Sequence, residues 1–304
     1  LIRIMVSKLT LTKKCPGCLG YPKIKVFSIK DYEYNLPFEA KYNECNICKT
    51  VYQLPMPASS KLSSFYPRKY HSFSGNGVLS KIRMNMRVQR ISKYLLPNDV
   101  LLDFGCGNGD FINFASKVLP KCSFFGYEIS NKLEIIESKC KKITIIRGKH
   151  DDLWAKLPNC KLITMNHTIE HLPDPEKIIR NLHNKLNKKG VLDGQTPATD
   201  SIERKLFKKF WSGYHAPRHT VIFSKGSLKK LLIRNNFDNI KINIAFNPAS
   251  YGVSIGSLFS GEKTNGIQRE GLTWFILLIF GAFFWLIDLL LDSPGVINFK
   301  AYKR

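Results

Sequence analysis

Acidic side chains are scarce in this sequence of 304 residues, which has 23 Asp and Glu against 47 Lys and Arg and a formal net charge of +24. The excess favours an acidic partner: a nucleic acid, an anionic membrane or a phosphorylated substrate. An arginine-rich block or tail is also lacking, because the basic residues are spread along the whole sequence. This spread makes nucleic acid the less favoured partner.

Long apolar runs and cysteines are few as well. No apolar run follows the basic first residues, so no signal peptide is predicted. The eight cysteines include only four in C-x-x-C pairs, which is typical of a protein from a reducing compartment. We therefore expect the cytoplasm. One apolar run stands out, the eighteen residues from Trp274 to Leu291, interrupted only by Asp288.

The paired cysteines indicate a metal site near the start of the sequence. Cys15 and Cys18 form one C-x-x-C knuckle, and Cys45 and Cys48 form the other. Four thiolates in two such knuckles suit one tetrahedral structural Zn²⁺, which lets a very small domain fold. We predict a zinc ribbon over residues 1–56. Redox or free cysteine pairs are the alternative, although redox C-x-x-C motifs normally occur singly.

The stretch VLLDFGCGNGD, from Val100 to Asp110, predicts a strand, a glycine turn and a helix. Glycines are needed where the backbone turns sharply against a ligand, and the following helix offers unpaired N–H groups. The spacing is G-x-G-x-G behind an acid, whereas dinucleotide-binding folds use G-x-G-x-x-G. A second acid, Glu128, ends the next predicted strand.

This stretch resembles motif I of class I S-adenosylmethionine (SAM)-dependent methyltransferases. The resemblance implies that the loop packs against the methionine part of SAM, that Glu128 holds the ribose hydroxyls and that Asp151 contacts the adenine. The cofactor-binding residues expected on this basis are Asp103, Gly105, Gly107, Gly109, Glu128, Asp151 and Asn166. The alternative is a glycine turn in another nucleotide-binding α/β domain.

Alternating strands and helices after residue 99 predict a parallel sheet with right-handed crossovers. We expect an α/β fold with a Rossmann-like, seven-stranded methyltransferase sheet over residues 99–248, including a helix from Ser130. Residues 57–98 are predicted as a linker and lead-in helix. Residues 249–304 then hold the hydrophobic insert, at 274–291, and a final strand, Val296 to Tyr302, paired antiparallel with Asn239 to Phe246.

That pairing argues against a single membrane span in the insert, because a span would put the last two strands on opposite sides of the bilayer. We expect the insert helix to be buried against the protein or a second subunit. Peripheral contact with the inner membrane face is the alternative.

The fourth core strand ends in MNHTIEHLPDP, which brings His167, Glu170 and His171 to the edge of the sheet where such folds bind ligands. This stretch resembles the His-x-x-Glu-His-x-x-Asp-Pro pattern of a bacterial methyltransferase subfamily. We expect His167 to act as a general base. Glu170 and His171 either share in catalysis or brace the loop, and the resemblance leaves Mg²⁺ as a less favoured cofactor.

A second cluster, Trp211 to His219, resembles the W-x-G-x-x-x-P-R-H segment that closes the acceptor side in the same subfamily. Arg218 suits a phosphate, and His219 is the alternative base. The expected substrate residues are Tyr66, Tyr70, Trp211, His215 and Arg218. The alternative is a structural loop in which the Arg pairs with a core carboxylate and the Trp packs. Asp193, inside a predicted core strand, has no explanation from the sequence.

The subfamily is found with sugar and cell-surface polysaccharide biosynthesis, so the resemblance implies a sugar-containing small-molecule acceptor, nucleotide-linked or lipid-linked. Two alternatives stay open. One is an RNA methyltransferase that uses the ribbon and the basic charge. The other is a non-catalytic SAM-binding or membrane-associated module.

Overall fold

The computed structural model describes residues 14–58, 61–66, 78–129, 134–138, 142–148, 153–260 and 271–304. The strands are β1 Ile24–Lys30, β2 Glu39–Cys45, β3 Val51–Gln53, β4 Val100–Phe104, β5 Ser123–Glu128, β6 Glu134–Ser138, β7 Ile143–Arg147, β8 Cys160–Asn166, β9 Leu186–Pro197, β10 Val221–Ile222, β11 Phe237–Ile244 and β12 Val296–Lys303. The α-helices are α1 Val78–Ser92, α2 Asp110–Val118, α3 Leu153–Lys156, α4 Pro175–Lys185, α5 Ile202–Phe207, α6 Lys225–Arg234, α7 Pro248–Ser260 and α8 Gly271–Leu291.

The larger sheet has eight strands in the order β11-β12-β9-β8-β4-β5-β7-β6. Its centre is parallel, with β9, β8, β4, β5 and β7 joined as neighbours. The two strands at one end, β11 and β12, pair antiparallel, as the sequence predicts. This arrangement confirms the Rossmann-like α/β fold and places the carboxyl ends of β4, β5 and β8 side by side.

The count of seven strands and the helix from Ser130 are wrong within the described residues. Residues 134–138 form the edge strand β6, antiparallel to β7, while Ser130 lies outside the described residues. The adjacent β-branched Ile135 and Ile136 favour an extended backbone. Pairing with β7 also satisfies backbone groups that a five-residue helix would leave largely unbonded.

Apolar residues fill both faces of this sheet. On one face α1 and α2 pack through Val88, Ile91, Phe111 and Ile112. On the other, Leu228, Leu231 and Leu232 of α6 join a core that reaches the cysteine cluster of the N-terminal segment. The two cores hold the carboxyl ends of the central strands in fixed positions.

The smaller sheet has the order β1-β2-β3-β10. Its first three strands come from the segment predicted as a zinc ribbon, and the fourth is a two-residue strand in which Val221 pairs with Tyr52. The ribbon sheet is therefore completed by a strand that comes directly after the predicted substrate segment, Trp211 to His219, in the sequence.

Helices α7 and α8 form a hairpin between β11 and β12. At their crossing a Cβ added to Gly281 would lie 2.1 Å from the Pro248 carbonyl oxygen, so the two backbones touch. Asp288, the one charged residue in α8, is buried and accepts a hydrogen bond from the Tyr251 hydroxyl at 2.7 Å. Both ends of the hairpin return to the same sheet edge.

The expectation that this insert is buried against the protein itself is wrong for one face of α8, while burial of that face against a second subunit stays a prediction. The helix is long and apolar enough to cross a membrane, with a mean hydropathy of 2.4, but only 11% of its apolar window is buried. Apart from Thr273, the exposed side chains of α8 are large and apolar: Leu272, Phe275, Ile276, Ile279, Phe280, Phe283, Leu286, Leu289, Leu290 and Leu291. Burial fails because α7 alone is too narrow to cover both sides of α8.

Candidate active site

The glycine turn after β4 forms a tight cradle. Gly105 has a φ of +85°, and a Cβ there would lie 2.3 Å from Thr168 Oγ1. Gly109 has a φ of +83° and precedes α2, and its Cβ would lie 2.4 Å from the Ile145 side chain. Only glycine fits both the conformation and the space. The amide of Gly105 also donates to the Tyr127 carbonyl at 2.8 Å, which ties the loop to β5.

Glu128 faces this loop from the end of β5. The Gly107 amide donates to Glu128 Oε2 at 2.6 Å. Burial raises the pKa of Glu128 to about 7, although the Gly107 hydrogen bond opposes that shift. The loop and the acid therefore line one site, and the acid offers the acceptor oxygens that a ribose diol requires. The cradle and the acid fit SAM.

Asp103 and Asn166 lie at the neighbouring strand ends. The Asp103 carboxylate is already engaged by Thr164 Oγ1 at 2.6 Å and by Arg87 at 3.4 Å, and burial raises its pKa. Asn166 Oδ1 accepts from Arg90 at 3.1 Å, whereas its buried Nδ2 has no partner among the described residues. Asn166 thus has a donor to offer, while Asp103 braces the strand. Asp151 lies outside the described residues.

Arg90 also explains why β9 has an acid, Asp193, at a position where the sequence predicts an apolar residue. Its guanidinium donates to the Asp193 carboxylate at 2.5 Å and to Asn298 Oδ1, also at 2.5 Å. The Lys300 ammonium lies 3.9 Å from the same carboxylate. An acid inside β9 is tolerated because α1 and β12 supply cations above it.

His167 and Glu170 form a dyad where β8 ends. His167 has a φ of +49°, in the left-handed region that non-glycine residues adopt uncommonly. Its Nδ1 lies 3.2 Å from Glu170 Oε1, and its Nε2 lies 2.9 Å from Gln195 Oε1. Glu170 is fully buried, and Thr196 Oγ1 donates to Oε2 at 2.9 Å. Burial favours the neutral acid, but the His167 hydrogen bond and the neighbouring imidazoles lower the pKa of Glu170 to about 2.

Two further histidines face Glu170. His171 Nδ1 lies 3.1 Å from the Arg218 carbonyl oxygen and 3.0 Å from the Tyr66 hydroxyl. His219 Nδ1 lies 2.7 Å from the Gly213 carbonyl oxygen, and its Nε2 lies 3.9 Å from Glu170 Oε1. Burial lowers the pKa of both imidazoles, that of His219 well below its ordinary value. His167, Glu170, His171 and His219 are therefore brought together.

The segment from Trp211 to His219 is largely internal. Trp211 is 2% exposed and packs edge-on against Tyr214. Arg218 is 1% exposed and forms two hydrogen bonds with Asp31. Its Nε donates to His215 Nε2 at 2.9 Å, and His215 Nδ1 pairs with Glu33. This geometry favours the alternative in which the Arg pairs with a core carboxylate and the Trp packs.

Of the two tyrosines predicted as substrate residues, Tyr66 contacts His171, as described above. Tyr70 lies outside the described residues.

The four ribbon cysteines meet as the spacing predicts, with all four sulfurs within 4.8 Å of one another. Cys15 and Cys48 Sγ are 3.5 Å apart, and Cys18 and Cys45 Sγ are 3.8 Å apart. A Zn–S bond of about 2.3 Å gives tetrahedral S–S edges of roughly 3.8 Å. The cluster therefore fits Zn²⁺, which would crosslink the two knuckles.

Several residues of this region have no signal in the sequence motifs. Arg87 and Arg90 lie one helical turn apart on α1, and Gln195 lies near the end of β9. The rule that ligands bind at the carboxyl ends of strands could have identified Gln195. Asp31 and Glu33 could not be identified, because their partners lie far away in the sequence.

Comparison with known families gives one match over more than half of the chain: the family described as "Methyltransferase domain" matches residues 81–242. No curated protein matches. Solved structures include a SAM-dependent methyltransferase from Archaeoglobus fulgidus, with 19% identity, a TM-score of 0.47 and coverage of 76% of this chain and 96% of that chain.

Two further solved structures are similar. A possible histamine N-methyltransferase from Thermotoga maritima has 17% identity, a TM-score of 0.42 and coverage of 72% of this chain and 89% of that chain. Phosphoethanolamine N-methyltransferase 2 of Haemonchus contortus, in complex with SAM, has 13% identity, a TM-score of 0.46 and coverage of 80% of this chain and 56% of that chain. On the family match, this chain belongs to the methyltransferase-domain family and is a SAM-dependent methyltransferase of class I.

Proposed function

We propose that this methyltransferase acts on a hydroxyl of a sugar-containing small molecule that carries phosphate, with His167 as the general base. The observation that carries the proposal is the His167–Glu170 dyad beside the glycine loop. A buried carboxylate that holds one ring nitrogen of an exposed histidine orients the other nitrogen toward a reacting group. The His167 side chain is 43% exposed and that of Glu170 is fully buried.

Bound SAM supplies a methyl group on a sulfonium: an acceptor oxygen forms the new C–O bond while the C–S bond breaks and its electron pair stays on sulfur. The acceptor hydroxyl must lose its proton as it attacks. To reach His167 Nε2 the hydroxyl must replace Gln195 Oε1, which lies 2.9 Å from that nitrogen. With the ring neutral, Nε2 then takes the proton, while Nδ1–H donates to Glu170 and stabilises the imidazolium. His219 is the weaker choice as base because its ring is buried and its Nδ1 is held by the Gly213 carbonyl.

A basic groove supports a phosphate-bearing acceptor. It has a volume of about 680 Å³ and lies between the ribbon sheet and α5, with Phe27 and Tyr214 on its walls. Its basic residues are Lys25, Lys49, Arg204, Lys205, Lys208 and Lys209. Glu44 neutralises Arg204, with oxygen distances of 3.2 and 2.7 Å. Asp200 is a second acid in the lining, and the five lysines still leave an excess of positive charge that suits a diphosphate. We assign to this groove the phosphate-binding role that the sequence predicts for Arg218.

The apolar outer face of α8 supports a lipid-linked acceptor and a position at the inner membrane face. An exposed apolar stripe of this length is typical of a membrane or protein contact. Because Asp288 points inward and both ends of the hairpin return to the sheet, α8 suits the membrane interface rather than a single span. The lysines of the groove then suit the anionic headgroup region.

The test is transfer of labelled methyl from SAM to nucleotide-sugars, lipid-linked sugars and RNA. We expect methylation of a phosphorylated sugar acceptor and a fall in kcat of about 10²- to 10⁴-fold in His167→Gln, with SAM affinity unchanged. His183→Gln, on α4, is the matched control, and Gly107→Asp should lose SAM binding. Methylation of RNA alone, with strong salt dependence, would contradict the substrate class. Full activity in His167→Gln would contradict the base.

A further inference from the structure

We propose that Glu170, His171 and His219 bind a divalent transition-metal ion. Each residue offers one ligand atom, and these three atoms lie within 4.8 Å of one another. The set combines one carboxylate with two imidazoles. It is separate from the four cysteines of the ribbon, and it lies directly behind the proposed base.

The hydrogen bonds of the two histidines orient lone pairs toward this point. Because His219 Nδ1 lies 2.7 Å from the Gly213 carbonyl oxygen, that nitrogen must carry the proton and Nε2 must hold the lone pair. His171 Nδ1 lies 3.1 Å from the Arg218 carbonyl oxygen, which can only accept, and 3.0 Å from the Tyr66 hydroxyl, which can accept as well as donate, so the same assignment satisfies both contacts. Histidines that bind metals typically donate their other N–H to a backbone carbonyl in this way.

His167 Nδ1 pairs with Glu170 Oε1 from one side, but the side that faces His219 lacks a positive group among the described residues. The lone pair of His219 Nε2 faces Glu170 Oε1 at 3.9 Å, too far for a hydrogen bond and unfavourable between two electron-rich atoms. Arg218, the nearest guanidinium in the cluster, is neutralised by Asp31. A metal ion between the carboxylate and the two imidazoles would turn this repulsion into three favourable contacts.

The ligand chemistry selects the kind of ion. Mg²⁺ prefers oxygen ligands and retains most of its water. Two imidazole nitrogens and one carboxylate instead suit Zn²⁺, Fe²⁺, Co²⁺ or Ni²⁺. Metal–nitrogen bonds of about 2.1 Å place tetrahedral ligands roughly 3.4 Å apart, so the 3.9 Å separation of His219 Nε2 and Glu170 Oε1 needs only a small contraction.

The site is open on one side. Glu170 and His219 are buried, whereas His171 is partly exposed beside Tyr66. Three protein ligands leave at least one position for an oxygen from outside, which is the arrangement of catalytic rather than structural metal sites. If the proposed function holds, that position lies within reach of the acceptor hydroxyl whose proton His167 removes. The binding of the ion itself does not depend on the identity of the acceptor.

The test uses the full chain with Zn²⁺ in its cysteine site, titrated calorimetrically with Co²⁺ and, separately, with Mg²⁺, without SAM or acceptor. We expect one further equivalent of Co²⁺ with weak visible d–d bands and no new thiolate-to-metal absorption, and no comparable Mg²⁺ binding. His171→Gln and His219→Gln should weaken Co²⁺ binding at least tenfold, while His183→Gln should leave it unchanged. Retained zinc and an unchanged circular dichroism spectrum show that each variant is folded.

Two results would overturn the metal site: no further Co²⁺ equivalent in the wild type, or equal Co²⁺ affinity in a folded His171→Gln protein. His171 is partly exposed, so its variant serves if His219→Gln fails to fold. A protein that binds Co²⁺ as expected but methylates no sugar acceptor contradicts the proposed substrate and leaves the metal site intact. The two proposals therefore fail separately.

Discussion

The guanidinium of Arg218 forms two hydrogen bonds with the carboxylate of Asp31, at 2.9 and 2.7 Å, and both side chains are buried. Asp31 follows the first ribbon strand, whereas Arg218 belongs to the loop that leads to His219. The same guanidinium donates to the Phe65 and Ala216 carbonyl oxygens. One side chain thus joins the ribbon, the segment at 61–66 and the histidine cluster.

Breaking this pair should destabilise the protein strongly. We expect Asp31→Asn to lower the free energy of unfolding by about 3–5 kcal/mol, because it leaves the Arg218 charge buried and unpaired. Urea denaturation measures the effect. Asp292→Asn, which removes a carboxylate that is 81% exposed beside Lys225, should change the midpoint little. Similar midpoints for the two variants would show that the buried pair is not important for stability.

SAM binding should depend on pH through Glu128. Burial raises the pKa of Glu128 to about 7, so the carboxyl is ionised above that pH and protonated below it. The ionised form offers more acceptor capacity to the ribose hydroxyls. We expect SAM affinity to fall as the pH drops from 8 to 6, by at most tenfold per unit. Calorimetry on Glu128→Gln should give a flatter profile, and an equal pH dependence in both proteins would exclude Glu128 as its source.

Glu203 should make the fold less stable as the pH rises. Burial raises its pKa to about 7, against the hydrogen bonds from Ser212, Ser250 and Ser254. A carboxyl whose folded-state pKa is raised stabilises the fold below its unfolded pKa of 4.5 and loses that contribution as the pH rises through 7. The loss amounts to about 3 kcal/mol.

Thermal melts at pH 5 and pH 8 test this dependence. Glu203→Gln should raise the Tm relative to the wild type at pH 8 more than at pH 5, because the amide cannot ionise. Glu137→Gln, at an exposed position of β6, serves as the control, and its Tm should equal that of the wild type at both pH values. If Glu203→Gln keeps the wild-type pH dependence of the Tm, Glu203 is not the source of that dependence.

Zinc removal should unfold the ribbon. Cys45→Ser, or chelation of the wild type, is expected to remove one Zn²⁺ per chain and to lower the Tm, because the metal crosslinks two knuckles that have little core of their own. Cys122→Ser, which alters a buried cysteine outside the cluster, should keep its zinc. Zinc content is measured on the same samples as the melts. Zinc retained in Cys45→Ser would contradict a four-thiolate site.

Local motifs predict the cofactor side of this protein better than its acceptor side. Gly105, Gly107 and Glu128 are recognisable because turn, strand end and acid lie close together in sequence. Asp193 has no explanation in sequence because its partner, Arg90, comes from a helix about a hundred residues earlier. Likewise, nothing near Arg218 indicates that Asp31 will occupy its guanidinium. Pairings across such distances depend on the tertiary fold, which short patterns do not encode.

The shared ribbon sheet has a consequence for how the chain is made. β3 obtains its neighbour β10 only when Val221 and Ile222 have been synthesised. Until then the nascent N-terminal segment presents an unpaired strand edge, with β1 and β2 already able to form. A ribosome that stalls in the intervening stretch leaves this edge open to other nascent chains, so translation speed between the two segments sets the period during which the newborn protein can aggregate.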